Sequence, residues 1–157
     1  MAAPSITIVT ESDQTISNWD AGTIQANTDS SVLTIRVWNN KGGNTAISDL
    51  KECNVTTLDI DGGSASSPIA GKWIQVNIPK VDGNTTIWTA VGGTTTKSIR
   101  ADGLGASDGF TIRGTTNDGS VSNGTPNYCT IRLKIHVPLN AQAQSYSCKM
   151  RINGYYV

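Results

Sequence analysis

The sequence predicts an all-β protein built as one antiparallel β-sandwich or barrel. Three observations predict this class. Thr, Ser, Gly and Asn together make up about two-fifths of the chain, a composition that favours pleated strands and tight turns. Short stretches in which apolar and polar residues alternate recur along the chain. No window of helical length carries a sustained apolar face, so we expect no long helix.

The clearest alternation lies near the C-terminal end. In 129–137 the odd-numbered positions hold Cys, Ile, Leu, Ile and Val, while the even-numbered positions are polar. In 145–152 the even-numbered positions are the apolar ones. The polar stretch between these segments begins with Pro138, a residue that ends strands. We therefore predict two long strands folded back on each other as a hairpin, with its apolar side covered by the rest of the chain.

Further alternating or β-branched stretches predict the strands upstream. They span 5–10, 23–26, 32–38, 53–60, 73–78 and 85–91, with two shorter strands near Ile99 and at 110–113. Clusters of Gly, Asn and Asp at 39–43, 61–63 and 81–84 are typical of turns. A single helical turn is predicted at 48–52, with Ser48 as its N-cap. About nine short strands without helices between them are typical of a sandwich or barrel.

The length and charge of the chain limit its number of domains and the kinds of partner that we expect. A chain of 157 residues fits one domain, 1–157, with a single apolar core. Twelve basic and twelve acidic residues give no net charge, so we expect neither nucleic acid nor a membrane surface as a partner. No apolar run approaches the length needed to span a bilayer. The first residues lack the pattern of an export signal, and we expect a soluble chain that is not exported.

Cys53, Cys129 and Cys148 are too few, and odd in number, for a disulfide framework. Cys129 and Cys148 both fall on the apolar register of their predicted strands, where small thiols commonly fill the core. No Cys-x-x-Cys spacing indicates zinc or redox chemistry. We therefore predict free core thiols, with a Cys129–Cys148 disulfide as the alternative.

Candidate catalytic groups are few. His136 is the only histidine; it lies on the outward register of its strand, and no Gly-x-Ser-x-Gly turn accompanies it. The turns at 59–63 and 117–119 resemble parts of calcium loops, but neither continues to the glutamate of an EF-hand loop. We therefore predict a protein that is not an enzyme and has no catalytic residues, metal or cofactor.

Four aromatic residues are the predicted contacts for a partner protein or a glycan: Trp38, Trp88, Tyr155 and Tyr156. Trp38 and Trp88 fall on the face of their strands opposite the aliphatic residues. Exposed aromatic rings near Asn or Asp serve in both sugar binding and protein contact. The alternative is that another layer covers this face and makes the tryptophans part of the core.

The segment 137–146 consists of a strand ending in proline, a short alanine-containing turn and a strand that carries Tyr146. It resembles the last hairpin of bacterial immunoglobulin-like domains, and 32–40 is similar to the second strand of such modules. This resemblance implies an immunoglobulin-like or jelly-roll sandwich in which 62–127 supplies strands or loops beyond a minimal module. The Cys-Trp-Cys arrangement of antibody domains is absent from the sequence.

The turn after Trp38, Asn-Asn-Lys-Gly-Gly43, and the loop that begins Asn117-Asp-Gly resemble those of small virion proteins of tailed bacteriophages, especially head-decoration and tail-surface proteins. The resemblance implies a non-enzymatic component that docks on a capsid or tail protein of the same particle and forms a homo-oligomer. It also implies assembly in the host cytoplasm, which fits a β-rich chain without an export signal. The alternative is a carbohydrate-binding or adhesion module of a bacterial surface or secreted protein.

Overall fold

The computed structural model describes residues 1–83, 86–122 and 124–157, which form two antiparallel β-sheets packed around an apolar core. The prediction of an all-β sandwich is confirmed. Two four-residue helices, α1 (Ser67–Ala70) and α2 (Pro79–Asp82), and one 3₁₀ turn (Ala106–Asp108) complete the described secondary structure. The strands are β1 (Ile6–Thr10), β2 (Thr28–Asp29), β3 (Leu33–Asn39), β4 (Lys51–Leu58), β5 (Ile74–Asn77), β6 (Thr89–Val91), β7 (Lys97–Ser98), β8 (Tyr128–Val137) and β9 (Lys149–Tyr155).

The larger sheet contains six strands in the order β1-β3-β8-β5-β6, with β2 paired to the end of β8. The smaller sheet contains three strands in the order β7-β4-β9. Strand β8 is central to the larger sheet, because it pairs with β3 along one side and with β5 along the other. The segment 62–127 supplies β5, β6 and β7 together with the short helices.

The core lies between the two sheets and follows directly from the alternation in the sequence. Ile35 and Ile131 point inward from the larger sheet, and Cys53 and Val55 do so from the smaller one. Ile69 of α1 joins the same cluster and is fully buried. The apolar register of each strand therefore faces the other sheet, as the alternating pattern predicts.

The predicted C-terminal hairpin is wrong. Strands β8 and β9 exist close to the predicted positions, but β8 lies in the larger sheet and β9 pairs with β4 in the smaller one. The connection 138–148 passes from one sheet to the other and is held by Tyr146, whose ring meets that of Trp73 edge-on at 4.9 Å. Strands β8 and β9 bury their apolar sides in the same core, but from opposite sheets. Their alternation of apolar and polar residues is therefore the same as it would be in a hairpin.

Two shorter predictions are also wrong. Residues 23–26 are not a strand; the short strand β2 comes later, at Thr28–Asp29. Residues 48–52 are not a helical turn, because the backbone N–H and C=O of Leu50 both bond to Ile112 at 2.9 Å and β4 begins at Lys51. The predicted strand 85–91 is present as β6 over Thr89–Val91, while residues 84 and 85, which that strand and the preceding turn include, lie outside the described residues.

The three cysteines are free thiols. Cys53 and Cys129 are fully buried in the core, and Cys148 is half-buried against it. The prediction of core thiols is confirmed.

Candidate binding surfaces

Trp38 is part of the core, so its predicted role as an exposed contact is wrong. Its side chain is 0% exposed, although it lies on the face of β3 opposite Ile35 and Val37. It packs with Val9 of β1 and with Tyr128, whose ring centroid is 4.7 Å away. A second, small apolar cluster therefore lies on the outer face of the larger sheet.

Two loops cover this end of the outer face. Gly42, in the loop after β3, donates its backbone N–H to Asn117 Oδ1 at 2.9 Å, and Asn117 Nδ2 donates to the carbonyl of Asn40 at 2.7 Å. The ammonium group of Lys41 lies 5.4 Å from the centre of the Trp38 ring, within the range of a cation–π contact. The alternation of β3 could not reveal this cover, because both loops are polar and distant in sequence from each other.

Trp88 lies over the same outer face, further along β8, and is half-buried. The ammonium group of Lys134 is 4.7 Å from its ring centroid and the guanidinium carbon of Arg132 is 5.3 Å away. These cations occupy space over the indole that a stacked sugar ring would need. Trp88 is therefore a surface residue whose ring contacts Arg132 and Lys134 of its own chain.

Asp29 adds a carboxylate to this surface. Its two oxygens bond to Lys134 Nζ at 2.6 Å and to His136 Nδ1 at 2.7 Å. Hydrogen bonds from Lys134 and then from His136 lower the pKa of Asp29 and outweigh the effect of partial burial. We call Asp29, Trp88, Arg132, Lys134 and His136 the outer-face cluster. The alternation placed its three β8 members outward, but nothing in the sequence revealed the partner Asp29.

His136 and Asp29 form the kind of pair that orients an imidazole in hydrolases. Here both side chains are 41% exposed and lie on an open sheet face. The two concavities described below are lined by other side chains. The geometry favours a hydrogen-bonded pair that links β2 to β8 over a buried general base.

In the two candidate calcium turns, carboxylate oxygens of Asp59 and Asp118 accept hydrogen bonds from neighbouring residues of the chain. Asp59 Oδ2 accepts the backbone N–H groups of Ala65 at 2.9 Å and Ser66 at 3.2 Å, and Asp59 Oδ1 accepts the Ser66 hydroxyl. The bond from the Ser66 hydroxyl is the main cause that lowers the pKa of Asp59. In the other turn, Asp118 Oδ1 accepts the N–H of Ser120 at 2.8 Å. Across the described ranges, no three His, Cys, Asp or Glu side chains are grouped as metal ligands would be.

Tyr155 and Tyr156 are the predicted contact residues that the structure leaves accessible, with 47% and 53% of their surface exposed. Next to them, a concavity of about 230 Å³ has a largely apolar lining. The strand pair Lys51–Tyr155 and the bond from Ser48 Oγ to the carbonyl of Val157, at 3.4 Å, hold the last residues beside it. We call Tyr155, Tyr156, Val157 and Ile47 the terminal patch; the concavity is lined by Met1, Ala46, Ile47, Ser48, Asp49, Lys51, Thr115 and Val157.

A second, larger concavity of about 560 Å³ lies beside the connection between the sheets. Its aromatic residues are Trp73, which is 7% exposed, and Tyr146, and its amide groups belong to Asn140 and Gln142. No pattern in the sequence indicates this groove, because it forms between two distant segments, the one before β5 and the connection 138–148.

No protein-family model matches this chain, and no curated protein sequence matches it. Within the described ranges, none of the helices has the length and apolar character needed to cross a bilayer.

Proposed function

We propose that this protein is a non-catalytic structural component of a bacteriophage virion that docks on a capsid or tail protein through its terminal patch. The observation that carries the proposal is the pair of half-exposed tyrosines, Tyr155 and Tyr156, beside an apolar concavity. Tyrosine is enriched in protein interfaces because its ring buries a large area while its hydroxyl group still finds a polar partner.

The resemblance to small virion proteins supports the proposal that the particle is a bacteriophage. The two stretches that carry it, the turn after Trp38 and the loop at Asn117, contact each other through the hydrogen bonds of Gly42 and Asn40 with Asn117. They therefore form one structural unit at the end of the outer face that carries Trp38.

The absence of net charge suits repeated docking. Neighbouring copies on a particle do not repel one another at long range, and many modest contacts on one symmetric surface give a high combined affinity. Each copy then needs only a small patch.

The experiment is a co-sedimentation assay with particles of the phage whose genome encodes this chain, produced without the protein. Wild-type protein is expected to sediment with the particles, and the double variant Tyr155→Ser with Tyr156→Ser to lose at least tenfold in affinity. The matched control is Ile60→Ser, which removes an apolar side chain that is 60% exposed at the other end of β4. Equal binding by all three proteins would refute docking through this patch.

A second candidate function is glycan binding in the groove beside Trp73 and Tyr146. The lining of aromatic rings and amide groups favours it, since sugars stack on rings and bond to amides. A glycan array with wild-type protein and with Asn140→Ala plus Gln142→Ala tests it. Specific binding that the double variant loses would support this function over particle docking, and an array without signal would count against it.

A further inference from the structure

Among the strands that the structure describes, β9 is a long strand with an open outer edge. Strand β1 is covered by its own chain, because Ile8 O accepts the N–H of Ile16 and Gln14 O accepts that of Thr10. Strands β6 and β7 end their sheets with only three and two residues. Strand β9 has seven residues and pairs with β4 alone. Natural proteins usually shorten or cover such an edge, because its free backbone groups bind further strands.

The hydrogen bonds of β4 fix which groups of β9 face outward. In an antiparallel pair, successive residues direct their N–H and C=O groups alternately to the two sides. Cys53 bonds to Phe110 and Ile99, and Thr57 to Gly93, so these residues of β4 face away from β9.

The alternate residues of β4, Asn54, Thr56 and Leu58, must therefore bond to β9. Their partners are Asn153, Arg151 and Lys149. It follows that Met150, Ile152 and Gly154 direct their backbone N–H and C=O groups to the open edge. Among the described residues, no backbone partner is found for these groups outside the β4–β9 pair.

We propose that two copies of this chain pair through β9, antiparallel and about a two-fold axis at Ile152. Ile152 then bonds to Ile152 of the second copy, and Met150 bonds to Gly154 of the second copy, each as a doubly hydrogen-bonded pair. The glycine leaves room for the longer Met150 side chain opposite it. The two small sheets become one sheet with the strand order β7-β4-β9-β9-β4-β7.

The charged side chains of β9 favour this register over the neighbouring ones. On the outward face of β9, an axis at Ile152 places Arg151 opposite Asn153 and Lys149 opposite Tyr155. A shift of the axis to Met150 would set Lys149 against Arg151, two like charges directly opposite each other, which destabilises a strand pair. An axis at Arg151 would also align the outward backbone groups, but it would set two arginines directly opposite each other. The register at Ile152 avoids these like-charge pairs and, because Ile152 is the central residue of β9, pairs all seven residues of the strand.

The pairing gives Tyr155 a second role. Its ring would lie beside Lys149 of the second copy, whose ammonium group already bonds to the Ile60 carbonyl at 3.1 Å. An aromatic ring across from a lysine adds a cation–π contact. The inference concerns the protein alone and does not depend on the proposed virion role.

The test is sedimentation equilibrium of charge variants at the predicted pair. Asn153→Asp sets a carboxylate opposite Arg151 in both symmetric positions and is expected to tighten the dimer about fivefold; Asn153→Lys is expected to weaken it by a similar factor. The double variant Arg151→Glu with Asn153→Lys restores opposite charges and should restore the dimer. The controls are Asn44→Asp and Asn44→Lys, which make the same charge changes at an exposed residue between β3 and β4.

Hydrogen exchange of wild-type protein provides a readout that needs no variant. The amides of Met150, Ile152 and Gly154 are expected to be protected in concentrated solution and to exchange at least tenfold faster on dilution. The amides of Lys149, Arg151 and Asn153, bonded to β4, should stay protected in both. Fast exchange of the outward amides at every concentration would overturn the proposal, as would Asn153 variants that associate like their Asn44 controls.

Discussion

The indole of Trp38 packs against the phenol ring of Tyr128 across the β3–β8 pair, with 4.7 Å between ring centroids and 34° between ring planes. This contact lies on the outer face of the larger sheet, away from the main core. Together with Val9, the two rings form a second, smaller apolar cluster at one end of this face, beside the loops that contain Lys41 and Asn117.

Trp38 should therefore behave as a core residue and Trp88 as a surface one. Trp38→Ala is expected to lower the free energy of unfolding by about 4 kcal/mol, because it leaves a large cavity beside Tyr128 and Val9. Trp88→Ala is expected to cost about 1 kcal/mol, since its ring is only half-buried and its contacts with Lys134 and Arg132 lie on the surface. Urea denaturation followed by circular dichroism measures both. Similar losses for the two variants would contradict the assignment.

Two buried asparagines join the loops to the sheet. Asn39 Nδ2 donates to the carbonyl of Ser48 at 2.9 Å, and Asn127 Nδ2 donates to that of Thr115 at 2.7 Å; both residues are 0% exposed. Asn39→Ala leaves the Ser48 carbonyl and the Ser5 N–H without this partner, so we expect a loss of about 3 kcal/mol in unfolding free energy. Thermal or urea unfolding measures it, with the exposed Asn44→Ala as the matched control at under about 0.5 kcal/mol. A loss equal to that of the control would show that the network does not stabilise the fold.

The Asp29 ion pairs predict how stability depends on pH. The pKa of Asp29 is lower in the folded state, so its contribution is present above the unfolded value, about 3.9, and is lost as pH falls through the folded value. Because Asp29 is largely exposed, Asp29→Asn should cost only about 0.5 kcal/mol at neutral pH, and nothing in strong acid. Unfolding midpoints of both proteins across acidic pH measure this difference. The cost should shrink in a Lys134→Met background; a pH-independent cost would contradict the ion-pair account.

The core thiols should resist modification. Burial raises the pKa of Cys53 to about 12 and that of Cys129 well above its ordinary value, so neither is a thiolate at pH 8. A thiol-specific disulfide reagent is expected to label, slowly, only the half-buried Cys148 in native protein, and all three cysteines in urea. Cys148→Ser should abolish the native reaction. Rapid native labelling of Cys53 or Cys129 would show that the core opens.

The sequence predicts where most of the strands lie but not which strands pair with each other, and the reason is physical. A period of two identifies which residues of a strand face the core, and β3, β4, β5 and β8 lie close to their predicted positions. The same period does not tell which strand lies alongside, because that depends on contacts between distant segments. The sequence predicts a hairpin connection over 138–144, but β9 begins only at Lys149, and a connection of this length seldom joins hairpin strands.

The binding surfaces show the same limit. Outward positions in β8 correctly located Arg132, Lys134 and His136, but Asp29 comes from a two-residue strand that has no pattern of its own. The register of β3 places Trp38 outward, and its burial results from contacts with Val9, Tyr128 and the loop residue Lys41 that the register does not show. Tyr155 and Tyr156, two of the predicted contact residues, are exposed at the end of β9.

The most direct measurement of the central proposal is the protein composition of washed, density-banded particles of the encoding phage, by quantitative mass spectrometry. We expect this chain to be present in a fixed ratio to the major capsid or tail protein. It should stay bound to the particles at high salt, because the tyrosine contacts are not ionic. Detection of the chain only in the host lysate, with none in the banded particles, would contradict it.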